Sequence, residues 1–115
     1  MKITNLDKTS IVTPVMSGAQ GITKQMPISS ADGSPSFSFR VFTVKPGGHT
    51  PLHAHLFEHL NYIISGSGIL VEGFSAHPVQ EGDFALVLPG EAHQFRNSST
   101  DRDLVFICAV PKEYE

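Results

Sequence analysis

From Phe37 to Val110 the chain is a succession of short β-prone runs, and nowhere do apolar residues hold a helical period over three turns. Phe37-Ser38-Phe39-Arg40-Val41-Phe42-Thr43-Val44 is β-branched and aromatic, and Lys45-Pro46-Gly47-Gly48 reads as its end. A histidine-bearing strand follows, then runs at 60–64, 69–71, near Pro78-Val79, 84–88, 94–96 and 104–110. Ser65-Gly66, Gly73, Glu81-Gly82-Asp83, Pro89-Gly90 and a polar turn over 97–102 separate them. Strands recurring at roughly 8–12 residues predict an all-β sandwich or barrel, with the double Greek-key jelly roll as the natural candidate.

Upstream, Ile11-Val12-Thr13 is a short β-prone piece suited to a sheet edge, in its own subunit or a partner's. Ile22, Met26 and Ile28 fall on one alternating face and predict a strand, which Pro27, lacking a backbone donor, places at an edge. With 115 residues the chain suits one domain, read as N-terminal edge strands over about 1–36 and a barrel core over about 37–111.

The chemistry concentrates in His53-Ala54-His55-Leu56-Phe57-Glu58-His59 and in Pro89-Gly90-Glu91-Ala92-His93-Gln94-Phe95. Side chains two apart on a strand share a face, which pairs His53 with His55. The step to His59 is long enough to turn a corner and return a third imidazole, and His93, in a tight turn feeding a new strand, can supply a fourth from a neighbour. Neutral imidazole is the commonest protein ligand for first-row transition metals. These four of the six histidines predict a mononuclear metal centre. His49 and His77 are expected to be ordinary surface or hydrogen-bonded residues, His49 at most at the cavity rim.

The segment from Gly47 to Gly66 resembles the first cupin motif, G-x5-H-x-H-x(3,4)-E-x6-G. The segment from Gly82 to Asn97 resembles the second, G-x(5,7)-P-x-G-x2-H-x3-N. His59 stands where most metal cupins carry the motif's glutamate, and Pro89 lies one residue nearer to His93 than the motif has it. The pattern is therefore similar to small single-domain four-histidine cupins, of the cupin_2 type. That resemblance implies a jelly-roll barrel and one divalent transition metal per chain, manganese or iron first, with zinc, nickel, cobalt or copper as alternatives. It also implies a homodimer. The metal chemistry it implies is an oxidoreductase of dioxygenase type acting on a small organic substrate. Isomerases and non-catalytic metal-anchored binding or sensing modules share the fold, as would a closed structural zinc site.

Around the histidines, Glu58 is read either as a surface carboxylate or as an acceptor orienting an imidazole N–H. Gln94 and Asn97 are polar or turn-stabilising groups. Phe39, Phe42, Tyr62, Phe84, Phe95 and Phe106 are expected mainly in the core, some walling an apolar pocket, with Tyr62 able to offer a hydroxyl. In the last strand Leu104, Phe106, Cys108 and Val110 share one face, which would put Phe106 and Cys108 near the metal if that face lines its cavity. Four neutral imidazoles leave a dipositive charge uncompensated and favour anionic ligands such as enolates or carboxylates.

Composition closes other routes. A net charge of −3 with no Lys/Arg cluster argues against a nucleic-acid partner. A single cysteine excludes an intramolecular disulfide framework and suits a reducing cytoplasm. No segment has the length and apolarity of a membrane span, and no nucleophile elbow, Walker loop or dinucleotide fingerprint is present.

Overall fold

The computed structural model describes all 115 residues as eight β-strands with three short 3-10 turns and no α-helix. The strands are β1 (Gln20–Ile28), β2 (Phe37–His49), β3 (His59–Ser65), β4 (Ser67–Glu72), β5 (Ser75–Gln80), β6 (Phe84–Val87), β7 (His93–Arg96) and β8 (Leu104–Pro111). They pair antiparallel in the order β5-β4-β7-β2-β8-β3-β6, with β1 added on β2. The sheet curls on itself as a jelly roll.

The long strand β2 joins the two halves. Residues 37–44 pair with β8, and most of the same stretch pairs with β1 on its other side, while His49 at the far end pairs with Arg96 of β7. Lys45-Pro46-Gly47-Gly48 therefore does not end the strand as its composition suggested. Gly47, at φ +77°, bends the chain there, and its N–H donates to the Asn97 carbonyl across the gap between the halves. Asn97 completes this joint: its buried amide donates to the carbonyls of Val44 and Arg102.

Alternation decides what fills the barrel. Leu104, Phe106, Cys108 and Val110 of β8 all point inward and are buried, as the sequence pattern predicts. On β2 the inward set is Ser38, Phe42 and Val44 with Arg40 among them; on β3 it is His59, Asn61 and Ile63. Phe106 stacks on Phe95 at 4.0 Å and meets Phe42 at 5.6 Å, which closes one end of the interior with aromatic rings. The expectation that all six aromatics are core fails for the outward parity. Phe39 and Phe84 are 43% and 81% exposed, and Tyr62 packs on Phe84 on the outer surface.

The N-terminal pieces take edge positions. Val12 forms a bridge to Lys24 of β1 in its own chain, and among the strands β1 pairs with β2 alone. The single alternating face expected of Ile22, Met26 and Ile28 is broken by a register shift between Gln25 and Ile28. Gln25, opposite Val41 on the outer face, is buried under the N-terminal segment, where its amide donates to the carbonyls of Leu6 and Thr9.

One glycine carries a strict requirement. Gly66 sits at φ +82° between β3 and β4, and a Cβ there would meet the Asp103 carbonyl oxygen at 2.1 Å. Replacing it with alanine combines left-handed strain with a backbone clash, so Gly66→Ala is expected to cost about 1–3 kcal/mol or more. Denaturant unfolding of the variant beside the wild type measures it.

Candidate metal centre

The residues that bring the histidines together lie in the stretch between β2 and β3. It is not the regular strand that its alternation suggested, because Pro51 lacks a donor and only His53 makes a ladder bridge. The stretch is instead laced to β7 one bond at a time. Thr50 N–H donates to the Phe95 carbonyl and the Thr50 hydroxyl accepts from Phe95 N–H. His53 and His93 then exchange both backbone hydrogen bonds, at 3.2 and 2.9 Å. Gly90, at φ +83° in the Pro89-Gly90 turn, donates to the His55 carbonyl at 2.7 Å. A directly opposed, hydrogen-bonded pair sends both side chains to one face, so the His53–His93 exchange aims the two imidazoles inward together.

Ring nitrogens of His53, His55 and His93 lie within 4.8 Å of one another. His59, from the start of β3, stacks beside them with its ring centroid 4.6 Å from that of His55 and 5.1 Å from that of His93, although its nitrogens stand outside the three-nitrogen group. Nε2 of His55 and of His59 are buried without any hydrogen-bond partner. His93 has its Nδ1 at 2.9 Å from the Glu91 carbonyl; as an N–H donor there, it leaves the Nε2 lone pair free. Orphaned imidazole nitrogens facing one point fit a metal ion.

Burial also favours the neutral form, the one that can ligate, at His53, His55 and His59. Desolvation pulls His59 down to about 3, helped by the Arg40 charge and the neighbouring imidazoles. Desolvation pulls His53 to about 4, with His55, His93 and Arg40 adding to it, and lowers His55 in the same way.

His53, His59 and His93 open on a half-open cavity also lined by Met16, Phe42, Phe95, Phe106, Cys108 and Arg40, with a volume of about 30 Å³, room for about two waters. Phe106 and Cys108 thus line it as expected. Arg40 was not singled out from the sequence. Its signal was a charged residue in phase with Ser38, Phe42 and Val44 on an otherwise inward-facing side of a strand.

Three other candidates lie elsewhere. Tyr62 follows the inward Asn61 by one residue, so it faces out, away from the cavity. Gln94 has the opposite parity to His93 and Phe95, and its amide donates to the Thr50 carbonyl and meets His49 Nδ1. Glu58 is exposed on the loop and orients no histidine; the Glu91 backbone carbonyl serves His93 instead. His49 and His77 also lie outside the cavity, His77 3.5 Å from Glu72.

The depressed imidazoles imply a pH dependence. The unfolded chain protonates its histidines near 6.5, whereas the folded chain holds His53 and His59 neutral down to about 4 and 3. The unfolded state therefore binds more protons in that interval, and stability falls as pH drops below 6.5. In chelator-treated protein the melting temperature is expected to fall steadily from about pH 6.5 toward pH 4. His59→Gln should flatten part of that slope in thermal melts.

The comparisons with known proteins agree with this architecture. A family model described as a cupin domain (Cupin_2) matches residues 40–110. The polyketide cyclase RemF from Streptomyces resistomycificus superposes with a TM-score of 0.92 at 28% identity, covering 97% of this chain and 80% of that one. A cupin-2 domain from Rhodospirillum rubrum superposes with a TM-score of 0.82 at 25% identity, over 96% of this chain and 74% of that one. The 1-methylthio-D-xylulose 5-phosphate methylsulfurylase of Rhodospirillum rubrum is 35% identical over 74 residues, 64% of this chain and 47% of that protein. The chain thus matches about half the length of that curated relative. With both histidine motifs inside the matched residues, the chain belongs to the cupin_2 family of the cupin superfamily.

Proposed function

We propose that this protein is a metal-dependent cupin enzyme. It holds one divalent transition metal, manganese or iron, through His53, His55, His59 and His93, and acts on a small oxygen-bearing organic substrate as an oxidoreductase of dioxygenase type. The observation behind this reading is the convergence of three imidazole nitrogens within 4.8 Å, with a fourth ring packed beside them, on an apolar cavity. A bound divalent ion would supply Lewis acidity toward a substrate oxygen and, as iron or manganese, redox chemistry with dioxygen. His93, anchored on the Glu91 carbonyl, would present Nε2 in a fixed tautomer. Phe42, Phe95 and Phe106 would exclude bulk water from the reacting end of the substrate.

A second reading is favoured by the likeness to RemF, a polyketide cyclase. The same centre would then promote ring closure without dioxygen. Elemental analysis of untagged protein purified without a nickel column is expected to find about one manganese or iron per chain, and His53→Ala, His55→Ala or His93→Ala to abolish stoichiometric binding with the β fold retained. Full occupancy in those variants would sink the ligand assignment, and unchanged binding in His59→Ala would reduce the set to three. Oxygen uptake with small enolic or aromatic substrates would support the first reading, and anaerobic turnover the second. Metal-dependent ligand affinity without turnover would leave a binding module.

We also propose a homodimer as the working form. The outer face of β2, β8, β3 and β6 forms an apolar groove from Phe39, Leu60, Tyr62, Phe84, Ile107 and Ala109, with Leu60 and Phe84 52% and 81% exposed. A second copy would cover these side chains. Phe84→Glu is expected to shift the sedimentation coefficient from dimer to monomer, whereas a monomeric wild type would exclude the arrangement.

A further inference from the structure

Across the inner wall of the barrel runs a row of polar residues that the metal site does not use. Arg40 of β2 pairs in register with Cys108 of β8, and Cys108 pairs with Asn61 of β3 on its other side. Adjacent strands are about 4.8 Å apart, so Arg40 and Asn61 begin about 10 Å from each other. The Arg40 guanidinium reaches the middle of this gap, its Nη2 lying 3.0 Å from Cys108 Sγ. Along β3 the row stands one inward position beyond His59, and the next inward position beyond it is Ile63. It therefore lies between the imidazoles and the Phe42–Phe106 plug.

These groups are not satisfied by the protein. Arg40 makes no ion pair: Nη1 reaches the Tyr114 carbonyl at 3.5 Å, the guanidinium carbon stands 5.2 Å from the Phe42 ring centroid, and Nε is buried with no partner. Asn61 is 4% exposed, and both its amide nitrogen and its carbonyl oxygen lack partners. The Glu115 carboxylate is taken by Ser30 and Ser38. An unpaired cation and a doubly orphaned amide inside an apolar barrel cost free energy unless something completes them.

We propose that Arg40 and Asn61 form an oxyanion subsite that receives the carboxylate or enolate oxygens of the substrate, with the rest of the molecule extending past the imidazoles to the mouth. This rests on the reading of the cavity as a substrate site, but its donors are independent of any metal. Arg40 and Cys108 line the cavity beside His53, His59 and His93, and Asn61 stands next to Cys108 on the neighbouring strand. Arg40 Nε–H and Asn61 Nδ2–H then donate to the anion, and Cys108, a thiol whose ionisation burial pushes up, stays neutral beside it.

The test is titration of zinc-exchanged protein with sodium benzoate and, separately, with its neutral analogue benzamide, followed in 1H–15N spectra that include Arg Nε–H and Asn side-chain amide signals. Benzoate is expected to move the Arg40 and Asn61 signals saturably, and benzamide to bind at least about tenfold more weakly, the effect of a charged hydrogen bond. Arg40→Gln should lower benzoate affinity by a similar factor and Arg40→Lys should restore part of it, both with wild-type metal content. Equal binding of benzoate and benzamide, unchanged affinity in Arg40→Gln, or shifts that bypass Arg40 and Asn61 would overturn the subsite. The wild-type comparison decides the matter even if the variants fail to fold. Absence of bound metal with the benzoate effect retained would refute the metal reading and leave the subsite standing; the converse result would do the opposite.

Discussion

The reciprocal backbone pair between His53 and His93 is the contact on which the site depends. Two segments distant in the chain, 53–59 and the start of β7, must bring their imidazoles to one place, and only a shared backbone frame can fix their relative positions. Two reciprocal hydrogen bonds lock the first and last of these four histidines face to face, and the Gly90–His55 bond holds the next in line. The loop carrying His55 is further braced by a stack of His55 on Phe57 at 4.8 Å and of Phe57 on Tyr114 at 3.7 Å. The irregular stretch thus gains from side chains the rigidity that a regular ladder would have supplied.

That frame sets up a barrel with graded chemistry along its interior. Imidazoles occupy one level, Arg40, Cys108 and Asn61 the next, and Phe42, Phe106 and Ile63 the one that seals the end. The grading follows from strand register: residues opposite one another on neighbouring strands lie at the same depth, and inward residues two apart step from one level to the next. The Arg40 charge is felt at His53, His55 and His59, whose protonation it opposes. A cation that disfavours imidazolium would also favour an anionic guest, by the same electrostatic effect.

Much of this was legible in the residues. Turn spacing and the absence of a helical period specified an all-β barrel, and alternation in β8 put Phe106 and Cys108 on one face, which the structure turns to the cavity. Alternation also held what was overlooked: Arg40 shares parity with Phe42 and Val44, and Tyr62 with exposed Leu60, so applying the period of two to every aromatic and charged residue would have moved Arg40 in and Tyr62 out. Glu58 and Gln94 were harder. Each neighbours a histidine in sequence, but adjacent residues on extended chain face opposite ways, and the acceptor that orients His93 is a backbone carbonyl, which every residue type carries.

The sequence by itself determined the fold class, the histidine clusters and the inward face of the last strand, because these depend on local periodicity and on turn residues that act over a few positions. The tertiary structure alone decided that β2 would run through Lys45-Pro46-Gly47-Gly48, that Gln25 would be buried beneath the N-terminal segment, and that Arg40 and Asn61 would flank Cys108 at one level of the barrel. Those outcomes depend on register between strands far apart in the chain. Register is chosen by the sum of packing and hydrogen bonding over the whole barrel, and no single segment encodes that sum.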